Sequence, residues 1–249
     1  MNEPLPLPSG AIDVDQHSLG KAALLHLAPG AAIASVFFGT APVFDELNLP
    51  PLMALVLADA VVLPVILGYL LLLGYRRNGR ASLDGIVLYR ESMPLSRWLW
   101  LVPVLLVLAG LMMAAFSPIS ELLFGAFFAW LPASSVLGHD LAGYDRGTLA
   151  ISLLVFTLVV VVMASTVEEL YFRGYLLPRL SRFGVGAPMI NTVLFAMYHL
   201  WTPWLAVARV FAFFPLAFAV FRTRSVVLAV VVHLIGNAVD VVGWLTLVL

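Results

Sequence analysis

The side chains of this chain best suited to chemistry sit in its most apolar stretches. Glu168, Glu169 and Arg173 follow a run from Leu149 to Val167 that carries no charge, and two histidines, His199 and His233, lie in later apolar segments. Two chemistries suit these residue types. A carboxylate drawn out of water accepts a proton near neutral pH. A glutamate with two histidines from different helices also offers the ligand types of a catalytic zinc, which keeps one position open for water. Sulfur chemistry is excluded: the chain has no cysteine, hence no disulfide, thiolate metal site or cysteine nucleophile.

Spacing sorts these residues into three clusters. Glu169 and Arg173 are four apart and share a helix face on which they can pair. Glu168 is turned about 100° from Glu169 and faces a different neighbour. Asn191, Phe195 and His199 recur every four residues along one stripe. His233, Asn237 and Asp240 share one face of a later helix, with Gly236 nearby, and read as a wall of a polar cavity. Each cluster alone also has a structural reading, as charges satisfied at a membrane mouth or as polar contacts between helices.

The elements that must position them are membrane helices. The 249 residues are 62% hydrophobic and 11% charged, with a mean hydropathy of +1.04, which fits an integral membrane protein and no soluble class. A span needs roughly 20 apolar residues. Seven segments qualify, at 22–44, 52–75, 98–117, 148–170, 187–203, 204–221 and 226–246; eight spans result if Pro118–Leu137, otherwise an interfacial or re-entrant element, also crosses. The fold class predicted is an all-α polytopic transmembrane bundle. Residues 1–21 are rich in proline and acidic groups, lack the pattern of a cleavable signal, and are expected to form a flexible tail. Residues 22–249 form one membrane domain without repeats.

Basic residues set the orientation, since positive charge is retained in the cytoplasm. With the N-terminus inside, Lys21, Arg76, Arg77, Arg80, Arg90, Arg97, Arg173, Arg179, Arg182, Arg222 and Arg224 all fall on the cytoplasmic side, leaving Arg146 and Arg209 of the 13 basic residues. At 1.5 Å per residue, His199 lies roughly 18 Å in from that side, Glu168 roughly 15 Å and His233 roughly 12 Å. The three converge in the cytoplasmic half of the membrane. Asp59 and His26 are expected to bond between helices or to lie near the membrane surface rather than reach the cavity. Arg209 is expected to snorkel to the far interface, and His139 with Asp140 to be a solvated pair in an external loop.

Three motifs then stand in order on successive apolar segments: "EELYFR" has the form EExxxR, "FAMYH" the form FxxxH and "HLIGN" the form HxxxN. Together with "FRGYL" they resemble the CPBP family of intramembrane proteases, which includes type II CAAX prenyl endopeptidases and the bacteriocin-processing and immunity (Abi) proteins. The likeness covers about residues 165–240, and no motif position departs from the pattern. It implies that Glu168 is the general base for water, that His199 helps hold that water, that His233 and Asn237 donate to the oxyanion, and that Glu169 and Arg173 form a fixed supporting pair.

The substrate implied is a membrane-associated peptide or a lipidated, CAAX-like C-terminus delivered from the cytoplasmic leaflet of the cell membrane, with membrane lipid as the other partner and no nucleic acid. Prenylated substrates are expected only where proteins are prenylated. Two other readings stay open. A divalent metal such as zinc could be held by Glu168, His199 and His233, although the chain has no HExxH and Asn237 is a poor zinc ligand; no cofactor is the favoured expectation. The same helices could also serve a non-proteolytic immunity or regulatory protein that holds a membrane partner.

Overall fold

The computed structural model describes residues 14–137 and 141–246; the first 13 residues of the expected tail and the His139–Asp140 pair lie outside them. Regular structure among the described residues is helical throughout, apart from one isolated bridge between Arg90 and Ser225. The helices are α1 (Leu19–Glu46), α2 (Leu52–Asn78), α3 (Leu95–Ala115), α4 (Ser117–Leu123), α5 (Arg146–Phe156), α6 (Ser165–Glu169), α7 (Ala187–Tyr198), α8 (Ala206–Thr223) and α9 (Val226–Leu245). Wide π-helical turns run through Thr157–Ala164 and Leu170–Leu176, so α5 and α6 belong to one continuous arm, and a 3-10 stretch, Leu177–Gly186, leads into α7.

Each of the seven expected segments contains a helix, and the chain is a multi-pass membrane bundle. Six runs are long and apolar enough to cross a bilayer when Arg146–Tyr198 is counted as one of 53 residues. That run folds back on itself at Gly184, where φ 56° and ψ −131° need a residue without a Cβ. The returning helix, α7, has 12 residues, roughly 18 Å of rise against a hydrocarbon core of about 30 Å. It therefore stops inside the bundle, five residues short of the expected end at 203. The turn beyond it is roofed by the short apolar helix Ser117–Phe128: Trp204 packs against the rings of Phe124 and Phe128 at 5.0 and 5.6 Å.

One end of the bundle gathers most of the connections. The loop after α2 lies on the start of α9, with the Val226 amide donating to the Tyr89 carbonyl at 2.6 Å and the Glu91 amide to the Arg224 carbonyl at 2.9 Å. The Leu88 amide reaches the Gly174 carbonyl at 2.9 Å. At the same end the expected tail becomes ordered earlier than residue 21. Ser18 caps α1 by accepting from the Lys21 amide, Gln16 bonds Pro178 and Arg182, and the His17 amide donates to the Arg179 carbonyl at 2.8 Å. Burial, with Lys21 and Arg179 nearby, lowers the pKa of the His17 ring to about 4.

Prolines shape α1 usefully. Pro29 has no N–H, so the Leu25 carbonyl loses its helical donor; the Tyr171 hydroxyl supplies one at 2.8 Å. The next residue, Gly30, lies so close to the Tyr198 carbonyl that any Cβ would overlap it. Both contacts press α1 against the helices that carry the polar clusters. The core around them is built of Ile33, Phe37, Leu63, Phe172, Phe195 and Tyr198, all completely buried.

Candidate active site

The EExxxR segment supplies the first wall. Glu169 and Arg173 face each other at 3.3 Å with side chains 1% and 0% exposed, as the four-residue spacing requires. The Arg173 guanidinium also lies 3.8 Å above the centre of the Phe195 ring, a cation–π contact that strengthens where water is excluded. Glu168 points elsewhere: its Oε1 accepts from the Tyr198 hydroxyl at 3.0 Å, and its Oε2 lies 4.0 Å from His233 Nε2.

The second wall is the end of α7. His199 is the C-cap, at φ −77° and ψ 59°, and the Leu200 amide donates to the Tyr198 carbonyl at 2.8 Å across it. This is an inverse γ-turn centred on His199. Its Nδ1 bonds the Phe195 carbonyl at 2.9 Å, and a carbonyl only accepts, so the proton sits on Nδ1 and Nε2 keeps a lone pair. A capped helix end thus fixes the tautomer of the ring. Asn191, on the same predicted stripe, does not reach the cavity. Its amide donates to His26 Nε2 and to the Phe172 carbonyl, both at 3.0 Å, which leaves His26 in the interhelical role expected of it.

Helix α9 closes the site. His233 Nδ1 bonds Glu169 Oε1 at 2.8 Å, which turns Nε2 toward Glu168. Asn237 donates one amide hydrogen to Ser165 Oγ at 3.1 Å and keeps a second. Phe195 joins the walls, with the His199 and His233 rings both perpendicular to it, at 4.8 and 6.3 Å.

These groups face a cavity of about 570 Å³ that also takes in Asp59, Arg209 and Asp240. Two expectations are corrected here. Asp59 lines the cavity instead of bonding to another helix: it is 2% exposed, and its Oδ1 has no partner among the described residues. Arg209 does not snorkel outward; it turns inward and donates to the Thr202 carbonyl at 3.0 Å and to Thr202 Oγ1 at 2.9 Å, because the turn after His199 offers acceptors that lipid does not. Tyr198 and Ser165 are supporting residues that the sequence reading missed. Ser165 lies three residues before Glu168, on a neighbouring helical position, and was legible; Tyr198, hidden in the variable part of FxxxH, carried no signal.

Two imidazoles with Nδ1 tied to acceptors and a carboxylate are the types zinc uses. Among the described residues, however, no three histidine or acidic side chains are placed to hold one ion. As arranged, the residues do not fit a metal.

Buried acids and imidazoles around a cavity in a helical bundle mark a multi-pass membrane protein with a polar site inside the bundle. Residues 150–239, from α5 into α9, match the family model of type II CAAX prenyl endopeptidases, Rce1-like. The match contains all three motifs and is what the resemblance predicted. No curated protein and no solved structure gives a match.

Proposed function

We propose that this protein is an intramembrane endopeptidase that hydrolyses a peptide bond in a membrane-associated or lipidated, CAAX-like substrate, with Glu168 activating the water. The reading is carried by one observation: Glu168 is held by Tyr198 at the cavity wall, with Nε2 of His233 4.0 Å from its free oxygen. Water placed between Glu168 and the substrate carbonyl gives up a proton to the carboxylate, and the nascent hydroxide attacks the carbonyl carbon. His199 Nε2 accepts the second hydrogen of that water and so orients it. The oxyanion receives the free amide hydrogen of Asn237 and, in the imidazolium form of His233, its Nε2–H. The C–N bond then breaks, and protonated Glu168 returns its proton to the leaving amine. Glu169, balanced by Arg173, keeps the His233 ring in place throughout.

The distribution of basic residues supports a cell-membrane protein with a cytoplasmic N-terminus, whereas the cavity is lined by the start of α2, the end of α3 and the end of α9 and so lies toward the far end of the bundle. The test is cleavage of a library of prenylated and unprenylated C-terminal peptides by the purified protein in detergent. Glu168→Gln and His233→Ala are each expected to lower the rate at least about 100-fold, a typical loss for a base or an oxyanion donor, and a chelator to leave it unchanged. Equal cleavage by wild type and Glu168→Gln refutes the mechanism. Loss with chelator would move the chemistry to a metal, and no cleavage by wild type would favour a protein that holds a partner.

A further inference from the structure

The hydrolytic reading uses the walls built by α6, α7 and α9 and leaves unused a cation on a further wall. Arg209, in the first turn of α8, faces the same cavity as Glu168. It is unlike Arg173, whose charge is met by Glu169. No carboxylate among the described residues lies within 4.0 Å of Arg209; its bonds go to Thr202, the carbonyl and the hydroxyl, through one hydrogen on each Nη. A guanidinium has five N–H donors in a planar fork, so three are uncommitted. Thr202 clamps the fork in one orientation, so the guanidinium is held facing the cavity with its remaining donors unspent.

The rest of the cavity narrows the choice of ligand. Asp59, Glu168 and Asp240 also face it, and of the two arginines on its lining Arg173 is already paired with Glu169, which leaves Arg209 to meet an anionic group. The fork geometry matches a carboxylate bidentately. Leu105, Met113, Leu205 and Leu216, from α3, the turn and α8, supply an apolar surface in the same cavity for the flanking part of a ligand.

We infer that Arg209 is a carboxylate-binding subsite, which anchors the substrate by its terminal α-carboxylate or by an acidic side chain and so sets which peptide bond meets Glu168. The inference rests on the hydrolytic reading for its purpose, but its binding chemistry can be tested without catalysis. The probes are N-octanoylglycine and its amide, which differ only in the charged group, with binding measured by calorimetry on the purified protein below the probes' micellar concentrations. The acid is expected to bind wild type about 10-fold or more tightly than the amide, the value of a hydrogen bond to a charged group. Arg209→Gln should abolish that preference and Arg209→Lys should keep part of it. Melting curves without probe identify any variant that fails to fold, and the wild-type comparison alone decides the matter in that event. Equal binding of acid and amide, no binding of the acid, or a preference that survives in folded Arg209→Gln overturns the subsite.

Cleavage then separates the sources of the carboxylate. A cleaved peptide is compared as its acid, its C-terminal amide, and an amide with Glu in place of an internal Gln. A rate that falls with amidation and is not restored by Glu assigns the terminal carboxylate, and restoration assigns the side chain. Cleavage without any acid preference removes the subsite and leaves the hydrolytic reading standing; acid-selective binding without cleavage does the reverse.

Discussion

Glu169 carries two buried partners at once, and its charge can be removed without removing its shape. In Glu169→Gln the amide oxygen can still accept from His233 Nδ1, now at 2.8 Å from Oε1, while Arg173 loses its only ion-pair partner among the described residues. Arg173 is wholly buried, and its nitrogens make no well-directed hydrogen bond; the face of Phe195, 3.8 Å away, remains its chief compensation. Breaking a buried pair from one side costs about 3–5 kcal/mol. For a chain of this size each kcal/mol moves the melting temperature by about 2–4 °C, so a fall of about 6–20 °C is expected. Thermal unfolding in a fixed detergent measures it. Glu169→Gln/Arg173→Met removes both charges at similar volume and should recover most of the loss, with a coupling of about 2 kcal/mol in the double-mutant cycle. A fall below about 4 °C, or additivity within about 0.5 kcal/mol, would show that the pair does not hold this part of the bundle together.

Three further outcomes are expected. Tyr198→Phe deletes the hydroxyl that donates to Glu168 at 3.0 Å and should lower kcat about 10-fold with a stability loss of only about 1 kcal/mol; unchanged kcat would make Tyr198 a packing residue. Gly30→Ala drives a Cβ into the Tyr198 carbonyl, whereas Gly39→Ala on the same helix meets nothing within 4 Å. The first should destabilise by about 1–3 kcal/mol or more and the second should not, as read by melting temperature. Burial lowers the pKa of His17 to about 4 in the fold, against 6.5 for the free side chain. The unfolded segment therefore binds the proton first, and the stability present above pH 6.5, at most roughly 3 kcal/mol, is lost as pH falls toward 4. Hydrogen exchange at the His17 amide, corrected for its intrinsic pH dependence, should rise across that window and lose the slope in His17→Asn; a flat profile in wild type contradicts the assignment.

The parts of this site that could be read from the sequence are those set within one helix. The Glu169–Arg173 pair follows from spacing alone, as does the common face of His233 and Asn237. Hydropathy located every helix, because the bilayer requires long apolar runs whatever the tertiary contacts. What could not be read depends on contacts between helices. Nothing in the stripe of Asn191, Phe195 and His199 tells that α7 ends at Tyr198, or that of the three Asn191 serves His26 instead of the cavity. Asp59 and Arg209 were misplaced for the same reason: insertion cost says that such residues need partners or water, not on which side these are found. Tyr198 reaches Glu168 across 30 residues of sequence, beyond any local pattern.

The wide turns that follow Glu169 bear on how this chain can change in length. A π turn spans one residue more than an α turn closes, so the stretch Leu170–Leu176 could lose a residue and remain a helix with its backbone bonds satisfied. Such a deletion would swing everything on one side of it by about 100° relative to the other. A deletion before Arg173 would turn it and the segment behind it away from Glu169. Insertions and deletions are usually tolerated where the backbone absorbs them most easily. Here the most easily absorbed change in length would dismantle the buried cluster, so the residue count between Glu169 and Leu177 is itself part of the site.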